Sequence, residues 1–223
     1  VEKLTVLFSP LLILALGLSF PATSTYAGGA SRVITVPALG VQGEGLPGVV
    51  NYIVIQFDRT TMEDGPTVQF NEVNLGGGSL VGEEWKEGVR RAVLAVAQAV
   101  GDDGRDWLIT IKNRSMTSLT DGMSASAAVA VGIMAVYRGE TIGSDVALSG
   151  QVTTNGRLDV VGGLPLKIEA AAAARYRTIV IPRDQTLTPD WMLTTEVAGR
   201  KRVKLIQVGT LEEAYQTMTG QSR

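Results

Sequence analysis

The 223-residue chain contains no histidine and no cysteine. Those two absences exclude a Ser-His-Asp triad, a thiolate nucleophile, any disulfide, and a zinc site built on Cys or His. Aromatic residues make up only 5% of the chain, and the formal net charge is −2, so there is no basic surplus to neutralise phosphates. Nucleic acid is therefore not an expected partner. No Gly-Lys dipeptide occurs, so the triple glycine in "NLGGGSLVG" (74–82) lacks the lysine of a phosphate-binding loop and reads as a surface loop. "GDDGRD" (101–106) lacks the spaced acceptors of a calcium loop and reads as a turn. Neither a cofactor nor a metal is expected.

With 45% hydrophobic and 19% charged residues, the chain has the material for a core. It divides into two parts. No charge occurs between Lys3 and Arg32, and Leu4–Phe20 is a leucine-rich apolar run followed by "PATSTYAGGA". Thr25 at −3 and Ala27 at −1 suit signal peptidase, so residues 1–27 read as a signal peptide or N-terminal membrane anchor. Export across the cytoplasmic membrane follows, with a membrane tether through residues 4–20 if the segment is kept. Residues 28–223 then form one α/β (α+β) domain without linker or repeat.

The domain begins with β-rich runs at 32–39, 48–57 and 67–73, separated by Gly and Pro turns. A helix is expected over 83–100, with Val89, Val93, Val96 and Val100 on one stripe, then a strand at 107–112 and a polar loop at 113–122. Helices and strands alternate thereafter. Two strands flank Asn155-Gly156, helices cover 164–176, 189–199 and 210–220, and strands cover 178–182 and 203–208. Thr210 and Glu213 have capping-box spacing. The loops at 58–66, 74–82 and 113–120 are the candidate walls of a cleft.

Two places could carry chemistry. "TDGMSASAAVAVGIMAVYRG" (120–139) is a turn followed by a helix of small and apolar residues that opens with Ser124 and Ser126. Serine there is either a cap or a nucleophile beside free backbone N–H groups, and spacing does not choose between the two serines. Asp121 reads as a cap that shapes the turn. Without histidine, a serine needs another base, and a lysine serves if burial lowers its pKa from about 10.4. Lys167 in "GGLPLKIEAAAAARY" stands near a helix start, with Ala170, Ala171 and Ala174 on its face. Either its head snorkels to water or it is buried as a base.

The stretch from Asp121 to Pro182 resembles the proteolytic domain of Lon proteases. That family's nucleophile motif is Asp-Gly-Pro-Ser-Ala-Gly, and "DGMSAS" (121–126) places the nucleophile at Ser124. The segment 144–182 matches the family's run ending in Gly-Gly-Leu-x-x-Lys, whose lysine falls on Lys167, the family's general base. The threonine that orients that lysine falls on Ser149. A looser likeness extends over residues 48–208. The departures are Met123 for proline, Ser126 for glycine and Gln151 for glutamate.

The resemblance implies a Lon-like serine endopeptidase with a Ser-Lys dyad of Ser124 and Lys167, oriented by Ser149. It has no Walker loop, so the expected activity is independent of ATP and directed at unfolded or flexible polypeptides. Domains of this family commonly form rings, usually with help from an ATPase module, so the resemblance leaves the oligomeric state open, a homo-oligomer among the readings. The alternative is a catalytically inactive Lon-fold scaffold that binds peptides, and an esterase or amidase using the same dyad is a third reading.

Overall fold

The computed structural model describes residues 32–43, 45–73, 78 and 80–221. The expected signal or anchor segment, with its apolar run at 4–20, lies outside the described residues, as do residues 74–77 and 79 of the glycine loop.

β1 (Arg32–Val41) and β2 (Gly48–Arg59) form an antiparallel hairpin whose register runs from Arg32↔Phe57 to Val41↔Gly48. In β2, Val49, Asn51, Ile53, Ile55 and Phe57 all point inward, the two-residue period of a strand with one covered face. β3 (Thr67–Phe70) stops short of the expected Val73. β4 (Leu80–Val81) leads into α1 (Glu83–Val100), which buries Val89, Val93 and Val96 on the expected stripe. β5 (Trp107–Arg114) runs two residues into the expected loop, because its ladder with β2 continues to Tyr52↔Arg114. β6 (Leu119–Thr120), which the sequence pattern does not show, pairs in parallel with β4.

α2 (Ser126–Arg138) follows a 3-10 turn at Met123–Ala125 and is buried on every side from Ser126 to Val136. A helix that is apolar all round belongs in the centre of a core. β7 (Val146–Leu148) comes next, then β8 (Gln151–Val152) and β9 (Leu158–Asp159), which form the hairpin expected around Asn155-Gly156. α3 (Leu164–Ala173) ends earlier than expected, and Arg175 turns the chain in a left-handed conformation. β10 (Thr178–Pro182), α4 (Trp191–Lys201), β11 (Lys204–Val208) and α5 (Leu211–Thr219) complete the described chain. The Thr210 hydroxyl accepts from Glu213 N–H, while the Glu213 carboxylate accepts from Gly209 N–H, one residue before the expected partner.

Strands from both halves of the sequence join one mixed seven-stranded sheet, in the order β11-β10-β7-β1-β2-β5-β3. β11, β10, β7 and β1 run parallel to one another, whereas β2 is antiparallel to both β1 and β5. The sheet separates two apolar layers. Val36, Ala38, Ile53 and Ile55 pack with α1, α2 and α5 on one face, and Leu39, Ala147, Ile179 and Ile181 pack with α3 and α4 on the other. The fold is thus a mixed sheet between two layers of helices, and its α/β class is the one expected from the sequence.

β1 and β7 are paired only at Ala38↔Leu148. Near that pair, helix starts approach the β1–β2 hairpin and α1 from the two layers. Gly48 allows this on one side: a Cβ there would lie 2.1 Å from the carbonyl oxygen of Leu166, in the first turn of α3. Gly88 does the same on the other, since its Cβ would stand 3.3 Å from Met123 Cα.

Candidate active site

The turn carrying Ser124 is pinned at several points. Gly150 N–H donates to the Ser124 carbonyl (3.0 Å), and Ala127 N–H donates to the Gly150 carbonyl (3.1 Å). Ser126 is buried, and its hydroxyl accepts from Val152 N–H at 2.9 Å. The two serines are therefore distinguished by structure where spacing left them equal. Ser126 fastens the helix start to β8, whereas the Ser124 hydroxyl makes no hydrogen bond to any described residue. Ser126→Ala is expected to cost about 1–3 kcal/mol of stability, the penalty for an orphaned buried N–H, while keeping measurable activity. Urea unfolding and a cleavage assay check the two halves of that statement.

Asp121 caps a helix, but not the one that follows it. Its Oδ1 accepts from Trp85 N–H (3.0 Å) in the first turn of α1 and from Gly122 N–H (2.9 Å). Gly82 makes the contact feasible, because a Cβ there would fall 2.1 Å from the Asp121 carboxyl carbon. The carboxylate is thus committed to backbone donors across the chain. Met123 and Gln151, two of the positions that depart from the Lon motif, touch each other: Gln151 Nε2 lies 3.4 Å from Met123 Sδ.

Lys167 enters from the opposite face of the sheet. It sits in the first turn of α3, where its N–H donates to the Gly163 carbonyl, and only 2% of it is exposed. Nζ donates to Ser149 Oγ at 3.1 Å. Ser149 is fully buried at the end of β7, with its N–H held by the Val180 carbonyl (3.1 Å). Burial pushes the Lys167 ammonium down to about 8, and the charge of Asp190 offsets part of that effect. The alanine face invoked from the sequence accounts for little of this burial, since Ala171 is buried but Ala174 is exposed. What covers the lysine is the β1–β2 hairpin pressed onto the first turn of α3 through Gly48.

Ser124 and Lys167 line one cavity of about 270 Å³. They are not hydrogen-bonded to each other; the lysine's described acceptor is Ser149. Leu39, Val49 and Trp85 supply apolar wall, and Thr117, Leu119 and Thr120 close one side. Among the described residues of the three loops expected to line a cleft, those of 113–120 do so. The described part of 58–66 lies with Asp102 and Asp106 instead, where Arg59 holds both carboxylates. The tip of the β1–β2 hairpin (39–43), with no motif to mark it, forms the remaining wall. Asn51 is the other functional candidate that motif reading missed. Its signal was a lone polar residue in the inward row of β2.

A serine at the mouth of a helix and a buried lysine of lowered pKa, facing one cavity, can transfer a proton and an acyl group. Residues 109–218 match the Lon protease (S16) C-terminal proteolytic domain. The Lon-matched span begins in β5, ends in α5, and takes in Ser124, Ser149 and Lys167; the hairpin and α1, which wall the cavity, precede it. Among curated proteins, the chain is similar to an archaeal Lon protease of Thermococcus kodakarensis, at 30% identity over 114 residues, covering 49% of this chain and 18% of that protein. A second archaeal Lon protease, from Pyrococcus abyssi, is 26% identical over 140 residues, 61% of this chain and 13% of its own length. The Lon protease of Fervidobacterium nodosum is 26% identical over 166 residues, 69% of this chain and 20% of its own. The similarity thus spans a fifth or less of these relatives.

Proposed function

We propose that this protein is a serine endopeptidase that hydrolyses unfolded or flexible polypeptides through a dyad of Ser124 and Lys167, without ATP. The observation that carries the reading is a lysine held out of water against a single hydroxyl, in a cavity it shares with a serine at the mouth of a helix. Burying a lysine costs stability and favours its neutral form, which is the form a general base needs.

Ser124 Oγ attacks the scissile carbonyl carbon, and its proton passes to neutral Lys167 Nζ. The resulting oxyanion is met by backbone N–H groups of the turn at Met123 and Ser124, whose position at a helix start leaves them without intrahelical acceptors. Lys167, now charged, returns the proton to the leaving amine as the C–N bond breaks. Water then attacks the acyl-Ser124 ester, giving its proton to Lys167, and the serine departs with that proton. Ser149 keeps Nζ aimed by accepting one of its hydrogens.

Peptide hydrolysis runs downhill, so no step consumes nucleotide. The cavity admits a side chain and its flanking backbone, and a substrate must therefore arrive already unfolded. We further propose that the activity lies outside the cytoplasm, on the strength of the apolar run and small-residue site in residues 1–27. Among the described residues no helix is long and apolar enough to cross a membrane. Recovered protein is expected to begin at Gly28; recovery with residues 4–20 in place and membrane-bound would establish the anchor instead. The peptidase reading is tested by incubating the purified chain, without nucleotide, with a fluorescently labelled unfolded protein. Release of peptides is expected, and no release with or without ATP overturns the reading.

A further inference from the structure

We propose that Asn51 is a specificity-determining residue that selects substrates carrying a carboxamide side chain, glutamine or asparagine, on the acyl side of the scissile bond. The inference rests on the peptidase reading.

Asn51 interrupts the inward row of β2 between Val49 and Ile53, and only 2% of it is exposed. It lines the cavity that holds Ser124 and Lys167. Its Oδ1 has no hydrogen-bond partner, although buried acceptors are nearly always paired. The amide has space because Gly40, diagonal to it across the hairpin, carries no Cβ; one there would lie 3.0 Å from Asn51 Nδ2. An apolar residue would serve the fold better at this position, since burying an unpaired carbonyl costs stability. A carboxamide placed here and left unpaired is suited to a partner that arrives with the substrate.

The chemistry of that partner follows from the chemistry of the amide. A primary amide offers an acceptor and a donor side by side, and its complement is a second primary amide, joined by two reciprocal hydrogen bonds. A carboxylate has no hydrogen to give Oδ1 and would face Asp121 in the same cavity. An ammonium or guanidinium cannot accept from Nδ2, and it would stand beside Lys167. A hydroxyl supplies one bond where an amide supplies two. An aliphatic side chain expels solvent and leaves Oδ1 bare. The apolar wall of Leu39, Val49 and Trp85 suits the methylene stem of glutamine.

The experiment uses two peptides identical except for Gln or the near-isosteric Met at the residue that supplies the scissile carbonyl. Wild-type kcat/KM is expected to favour Gln by about tenfold to a hundredfold, the discrimination expected when one ligand leaves a buried polar group unpaired. Asn51→Leu should abolish that preference, bringing kcat/KM for the Gln peptide down to that for the Met peptide, and labelling of wild-type Ser124 by a simple fluorophosphonate shows that the site is competent. Labelled wild type that shows no preference for Gln overturns the assignment and leaves the peptidase reading standing. An Asn51→Leu protein that keeps the preference also overturns it. If the variant fails to fold, the wild-type ratio decides alone. A wild type that neither labels at Ser124 nor cleaves either peptide overturns the peptidase reading itself, and the assignment with it.

Discussion

Replacing Ser124 with alanine is expected to lower peptide release from an unfolded protein at least about a thousandfold, with little change in thermal stability. The size of the loss follows from the chemistry, because removing the attacking atom removes the acyl-enzyme route and leaves only binding and oxyanion stabilisation. The absence of a stability cost follows from the geometry. Ser124 is half-buried at the cavity wall, its hydroxyl makes no hydrogen bond to a described residue, and the turn is held by its carbonyl, which alanine keeps. Ser126→Ala should show the reverse pattern, because its hydroxyl does structural work at Val152 N–H. Release assayed alongside calorimetric melting separates the two serines. Equal activity of wild type and Ser124→Ala would remove this serine as the nucleophile.

That contrast shows how far sequence reading reaches. The elements were legible because their patterns are plain: the valine stripe of α1, the β-rich run of β2 between Gly and Pro turns, and the unbroken small apolar run of α2. The Lon-like motifs marked Ser124, Ser149 and Lys167, and the fold brings the serine and lysine onto one cavity and the lysine onto Ser149. Contacts between segments distant in sequence were not legible. Asp121 caps α1 thirty-six residues away, with Gly82 making room for it. The burial of Lys167 was one of two readings that its helix left open, and the reason for it was incomplete. A row of alanines on its helix suggested a covered face, but the cover is a hairpin admitted by Gly48, more than a hundred residues earlier. Asn51 carries no motif, and its meaning depends on what stands opposite its amide. β4 and β6 are two residues each, too short to show any period.

The second large effect concerns Lys167, and it has opposite signs in activity and stability. Lys167→Met removes the base and is expected to lower turnover by at least about a thousandfold. The same change should stabilise the fold at neutral pH. In the folded protein burial lowers the lysine to about 8 from an ordinary 10.5. Between those values the unfolded chain holds a proton that the folded chain has released, so unfolding takes up a proton and stability rises with pH across that window. Below about pH 8 the folded protein bears the whole cost of charging a buried amine, on the order of 3 kcal/mol. Methionine keeps most of the stem and carries no charge. Urea unfolding at pH 7 should therefore show Lys167→Met as the more stable protein, and the gap should narrow toward pH 10.5. Wild-type kcat/KM should rise with pH through a midpoint near 8 and level off above about pH 9, as the fraction of neutral lysine saturates. A flat rate profile from pH 6 to 9, or a wild type as stable as the variant at both pH values, would contradict a buried lysine acting as the base. In the proposed dyad, catalysis and stability pull against each other at one nitrogen, and Ser149, whose hydroxyl can accept from that nitrogen in either protonation state, is placed to hold it as the proton comes and goes.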